Sequence, residues 1–152
     1  QIDGFTIDGK LWRGIKGVAQ DLQNGISTIV ADGINEKKAL PEIKAEIHEL
    51  FNKNRGGMVK GKVTDGRTMR IARTESNRFI NAGKMQAMKD SGVVQYVQWN
   101  SFLDDKTTDI CRRLNNQVVK IGELFVDPET GKKYDHPAAH VNCRSICQAH
   151  FK

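Results

Sequence analysis

The chain lacks any apolar run near the roughly 20 residues that a membrane-spanning helix requires, and no basic-then-apolar leader opens it. A soluble protein with no address to a membrane or for export is the expectation. Cysteine is scarce too: three in 152 residues, an odd number that excludes a complete disulfide framework and favours a reducing compartment. Internal repeats and low-complexity tracts are absent, which excludes solenoids. Gln1 stands where Met would, leaving open a processed start or a longer parent chain.

What is present is the composition of a globular protein, 38% apolar and 28% charged, at a length that fits one ordinary domain. The net charge of +6 is unevenly placed. Residues 55–90 carry nine basic and three acidic side chains, whereas the flanking segments come to −1 and +1. Lys60, Lys62, Arg67, Arg70, Arg78 and Lys84, with Arg55, Arg73 and Lys89, are candidates for an electrostatic footprint on phosphates. The plainer alternative is a solvated basic helix face. No run of aromatics is interleaved there as a single-strand stacking platform would want, and no recognition-helix motif appears.

Leu11, Ile15, Val18, Leu22, Ile26 and Ile29 recur at three- and four-residue steps, predicting a helix over 9–33, weakened at Gly14, Gly17 and Gly25 and stopped near Gly33. Pro41 suits the start of a second helix striped by Ile43, Ile47, Leu50 and Phe51. The glycine-rich 58–66 suggests a mobile arm or a hairpin closed by Asp65-Gly66. A third helix is expected over 67–90, with Ala72, Ser76, Phe79 and Gly83 on one face. The period then changes to two: 93–99 and 117–121 read as strands, 123–126 as a third or an extension, Asp127–Gly131 as a turn and 144–151 as a closing strand. The class expected is α+β: a helical N-terminal half, then a small, mostly antiparallel sheet with a clasped C-terminal loop. The division expected is a helical region over 1–57 and a domain over 58–152, together one continuous unit.

Three of the four histidines and two of the three cysteines fall within 136–150. Zinc takes four tetrahedral Cys and His ligands. His140, Cys143, Cys147 and His150 meet the count, but a strand there would put 140 and 150 out of reach. Cys111, His140 and Cys143 with one further ligand are easier, because they tie two separate loops. Buried unpaired thiols, a Cys111–Cys143 disulfide, and a catalytic Cys–His pair with Arg112, Arg113 and Arg144 as cationic neighbours stay open beside a metal. Asp105 and Asp109 lie nearby. Arg73 and Glu75, two apart on a helix, do not face each other; a buried Glu75 would need a cationic partner, for which Arg144 is attractive.

Taken in order, Arg73-Thr74-Glu75, the Gly92–Trp99 strand, Asp105-Lys-Thr107 with Cys111, Leu114-Asn115-Asn116 and His140-Val141-Asn142-Cys143-Arg144-Ser145 resemble the phage Mu F-like head morphogenesis family, over about residues 70–146. Three departures matter. Asn116 replaces the usual Gly, which is tolerable because Asn also enters left-handed turns; Val141 replaces Pro; and Ser145 replaces the last Cys. Thr108 also stands where many relatives carry a second Cys, which favours three protein ligands with a carboxylate or water, or a purely hydrogen-bonded clasp.

The resemblance implies a virion-associated minor head protein acting in capsid assembly near the portal, with portal and major capsid proteins and packaged double-stranded DNA as partners, assembled in the host cytoplasm. The expected clasp comprises Arg73, Glu75, Asp105, Thr107, Cys111, His140, Asn142, Cys143 and Arg144, with Cys111, His140 and Cys143 the candidate zinc ligands and no chemistry performed. The rival is a small metal-dependent or Cys/His hydrolase or nuclease-like toxin domain centred on His140, Cys143 and Asp105.

Overall fold

The computed structural model describes residues 20–53 and 65–151. Its elements run α1 (Gln20–Asn35), α2 (Leu40–Lys53), α3 (Asp65–Ser91), β1 (Tyr96–Asn100), α4 (Asp109–Leu114), β2 (Val118–Lys120), β3 (Phe125–Val126), β4 (Lys133–Tyr134) and β5 (Ile146–His150). Helices precede small antiparallel sheets, so the chain is α+β. The first part of the helix expected from residue 9, and residues 58–64 of the expected arm, lie outside the described residues. Asp65 and Gly66, expected to close a hairpin, instead open α3.

The chain divides into two compact units, residues 1–76 and 77–152. In the first, α1 and α2 pack as a helical hairpin whose apolar stripes, Leu22, Ile26 and Val30 against Ile43, Ile47 and Phe51, are buried. The link is tight because Lys37 takes a positive φ of 57°. Lys38 N–H then donates to the Gly33 carbonyl (2.8 Å) and Lys37 N–H to that of Ile34 (3.1 Å), satisfying carbonyls that a helix end leaves orphaned. Glu42 caps α2 by accepting from Ala39 N–H (2.6 Å). Gly33 does more than end a helix: a Cβ there would lie 2.6 Å from Ile43 Cγ1.

On α3 the inward positions include Thr68, Ile71, Ala72 and Glu75 in the first unit and Arg78, Asn81 and Met85 in the second. The apolar face expected through Gly83 is therefore wrong in its later turns, where Phe79 is half-buried and Gly83 exposed. Polar side chains occupy much of the buried stripe, so a search for apolar period cannot see it.

In the second unit β1 is central, antiparallel to β2 on one side and β5 on the other. The paired register ends at Tyr96, opposite Lys120 and His150; of residues 93–95, expected within the strand, Gln95 still accepts from Ile121 N–H (2.9 Å) but lies outside β1. Val97 and Trp99 point inward and are wholly buried. The indole meets Phe125 and Tyr134 edge-on, at 5.2 and 6.0 Å between ring centroids, so the β3–β4 hairpin packs against β1 through aromatic rings.

That hairpin is held from α4. Arg113 grips the fully buried Asp127 through two bonds (2.7 and 2.8 Å), and Asp127 also accepts from Glu129 N–H and Thr130 Oγ1. The turn expected at 127–131 is present, with Gly131 at φ 69° donating to the Asp127 carbonyl. Asn116 has φ 64°, the left-handed conformation anticipated for it, and its N–H donates to the Trp99 carbonyl (2.8 Å).

Candidate functional site

The site is built from three pieces of the second unit: the turn before α4, the first turn of α4, and the segment leading into β5. In the first, Asp104 N–H donates to Thr107 Oγ1 (2.8 Å), whose hydroxyl donates to the Phe102 carbonyl (2.6 Å). Thr108 caps α4 and sets Cys111, three residues on, facing inward. In the third piece the chain reverses over 140–143: Cys143 N–H donates to the His140 carbonyl (3.2 Å) and Asn142 takes φ 59°. Asn tolerates that conformation better than most residues, and the reversal puts His140 and Cys143 beside Cys111.

Cys111 Sγ lies 2.9 Å from His140 Nε2 and 3.6 Å from Cys143 Sγ. The ring has a fixed orientation. Its Nδ1 is 2.7 Å from the Val141 carbonyl oxygen, which can only accept, so Nδ1 carries the hydrogen and Nε2 of the neutral ring presents a lone pair. Thr108 Oγ1 is also 2.9 Å from Nε2. Ser145 Oγ donates to Cys111 Sγ (3.2 Å) and pairs with Ser101 Oγ (3.0 Å), which in turn contacts the Cys111 carbonyl (2.8 Å). A shallow, solvent-open hollow of about 210 Å³ adjoins the cluster, lined by Thr108, Cys111, His140, Asn142, Arg144 and Ser145 among others.

The two thiols divide the proton affinity of the pair. Hydrogen bonding with Cys111, then the His140 ring, holds the Cys143 thiol below its ordinary value against the opposing effect of burial. Contact with Cys143 and then burial push Cys111 up. Burial works to lower His140, but the Cys143 sulfur and the Val141 carbonyl outweigh it, and the ring is raised.

Arg144 pairs with Asp104 through both guanidinium nitrogens, Nη1 at 2.7 Å, and stacks over Phe102 at 5.2 Å. Asp104 lies outside the expected clasp, whereas Asp105, placed within it, is exposed. Arg73 is exposed and Glu75 wholly buried. Asp109 is exposed in the first turn of α4.

Among the described residues, Cys111, His140 and Cys143 are the group whose ligating atoms gather, all within 4.8 Å of one another. The set His140, Cys143, Cys147 and His150 does not assemble. Cys147 instead packs against α3, its thiol 3.5 Å from the Asn81 carbonyl, and burial pushes that thiol up. No disulfide joins Cys111 to Cys143; all three thiols are free, and 3.6 Å far exceeds the roughly 2.05 Å of an S–S bond.

The sequence reading missed Asn77 and Asn81. Asn77 Nδ2 donates to the carbonyls of Cys143 (2.9 Å) and Ser145 (3.1 Å), and Asn81 Nδ2 donates to that of Ser145 (3.2 Å) while its Oδ1 accepts from Cys147 N–H (2.9 Å). Their i,i+4 spacing on a helix was the available signal: paired amides on one face of α3, opposite a chain that needs partners. Of the candidate phosphate ligands, Arg70 and Lys84 are exposed but Arg78 is buried at 6%, so it is not part of a solvent-facing footprint. Lys60 and Lys62 lie outside the described residues, as does the side chain of Arg67.

No helix among the described residues is long and apolar enough to cross a membrane. No solved structure matches the chain. An uncharacterized protein of Haemophilus influenzae is 27% identical over 106 residues, covering 68% of this chain but 22% of its own length; the chain thus spans about a fifth of that relative. The family model described as phage Mu protein F like protein matches residues 20–148. The match runs from α1 to within β5 and takes in every residue of the cysteine–histidine cluster, and the chain belongs to that family.

Proposed function

We propose that this protein is a minor head protein of a phage or phage-like particle, acting in head morphogenesis near the portal, in contact with portal and major capsid proteins and, non-specifically, with packaged DNA. It is assembled in the host cytoplasm. The Cys111–His140–Cys143 cluster, with Arg144–Asp104 beside it, serves as a clasp that fixes the return of the loop over 122–142 and performs no chemistry.

The observation that carries the clasp is the orientation of His140. A catalytic histidine is held by a group that steadies its charged form, most often a carboxylate, whereas here Nδ1 is spent on the adjacent backbone carbonyl. Asp105, which the hydrolase reading needs, is exposed.

The role in the head rests on family membership and on the charge of residues 55–90. Binding to DNA through lysines and arginines releases counterions, so affinity should fall steeply with salt and ignore sequence; a flat salt response with sequence preference would overturn it. For the clasp, Cys111→Ser and His140→Ala should each lower Tm. Variants that melt like the parent while losing a nuclease or hydrolase turnover present in it would establish the rival instead.

A further inference from the structure

We propose that Cys111, His140 and Cys143 hold a zinc ion whose fourth coordination position is left to solvent. The inference rests on the clasp reading and supplies its fastener.

The donor atoms match the ion. Two Zn–S bonds of about 2.3 Å at the tetrahedral angle place their sulfurs roughly 3.8 Å apart, and Cys111 Sγ and Cys143 Sγ are 3.6 Å apart. His140 Nε2 is 2.9 Å from Cys111 Sγ, against the roughly 3.5 Å that Zn–S and Zn–N bonds of about 2.3 and 2.05 Å would set, so the ring would draw back by about half an ångström to admit the ion. Metal-bound histidines characteristically donate their other ring N–H to a carbonyl or carboxylate, which fixes the tautomer, and Nδ1 does so to Val141. The sulfur nearest the ring has a supporting donor of its own in Ser145 Oγ.

Charge points the same way. Both cysteines are 3% exposed, and a cation between the sulfurs would let both ionise without the repulsion that two bare thiolates this close would suffer. Two thiolates, a neutral imidazole and a water around Zn²⁺ carry no net charge, which suits a half-buried site. Softness favours zinc over magnesium or calcium, because thiolate and imidazole are poor ligands for hard cations. Three protein ligands leave one position, and the hollow beside His140 and Cys111 is open to water.

The consequence is topological. Cys111 precedes His140 by 29 residues and Cys143 by 32, so the ion would close the stretch containing β2, β3 and β4 into a loop. Asn77 and Asn81 then hold the far side of the same segment by hydrogen bonds alone.

The test uses the full chain, purified under reducing conditions without chelator and weighed by native mass spectrometry. One zinc per chain is expected, absent from Cys111→Ser, His140→Ala and Cys143→Ser and retained in Cys147→Ser. Since those variants could fail to fold, chelator-treated parent protein is also titrated with zinc alone and with cobalt alone. Zinc should raise Tm, and cobalt should give an intense near-ultraviolet thiolate-to-metal band. A parent that takes up neither metal, a Cys143→Ser variant that keeps its zinc, or a disulfide-linked mass for the reduced parent overturns the metal. If Cys111→Ser nonetheless lowers Tm in metal-free protein, the clasp stands without it; if Tm is unmoved as well, both fail.

Discussion

Asn81 of α3 and Cys147 of β5 are joined by two bonds at once: the Cys147 N–H donates to Asn81 Oδ1 (2.9 Å) and its thiol to the Asn81 carbonyl (3.5 Å). Asn81 is wholly buried and also donates to Ser145. Truncation would therefore strand the Cys147 N–H away from water and leave the Ser145 carbonyl to Asn77 alone. Asn81→Ala should cost about 2–4 kcal/mol, the desolvation of unsatisfied buried groups together with the lost bonds. Chemical denaturation measures it; a loss under roughly 0.5 kcal/mol, the scale of neutral surface changes, would remove Asn81 from the account.

Gly33 and Gly83 should respond oppositely to alanine. A Cβ at Gly33 would press on Ile43 Cγ1, an inner atom of a branched side chain with little room to give, whereas Gly83 has nothing within 4 Å. Gly33→Ala should lose about 1–3 kcal/mol through overpacking. Gly83→Ala, exposed within a helix, should gain about 0.5–1 kcal/mol. Comparative thermal melts of the two variants decide whether close helix approach or mere helix propensity governs residue 33.

Acid should attack the Arg113–Asp127 anchor. The Arg113 guanidinium, supported by the Glu129 N–H and the Thr130 hydroxyl, holds the Asp127 carboxyl well below the usual carboxylate range. A carboxyl depressed in the folded state contributes stability above its unfolded value, near 3.9, and that contribution drains away as pH falls below it. Denaturation midpoints measured from about pH 6 down to pH 2 should drop more steeply for the parent than for Asp127→Asn. Parallel curves would mean that other carboxylates set the acid limb.

Exposure separates the basic residues of α3. Arg70→Gln and Lys84→Gln, both exposed, should each reduce the salt slope of DNA binding by about 1 while leaving Tm alone. Arg78→Gln, at a buried position, should act first on stability. A filter-binding salt series run beside melts distinguishes the two effects; an Arg78 variant of unchanged Tm and reduced slope would return that residue to the footprint.

Much of the framework was legible because it depends on local rules. The 3.6-residue recurrence of Ile43, Ile47 and Phe51 marks α2 within a residue of its start, and alternation around Val97 and Trp99 marks β1. Asn116 in place of glycine announced a left-handed turn. The pairing of Cys111 with His140 and Cys143 was anticipated as the easier ligand set, because a set running along one strand cannot converge. Less visible was everything that depends on which polar group meets which.

Sequence alone determined the α+β class, the order of the long helices and the main strands, and the basic middle segment, since periodicity, turn residues and charge are properties of neighbours along the chain. Only the tertiary structure paired Arg144 with Asp104, buried Arg78, and recruited Asn77 and Asn81. A buried polar side chain is tolerated only where another segment supplies its partner, and no local pattern records what lies 30 or 60 residues away in sequence but a few ångströms away in space.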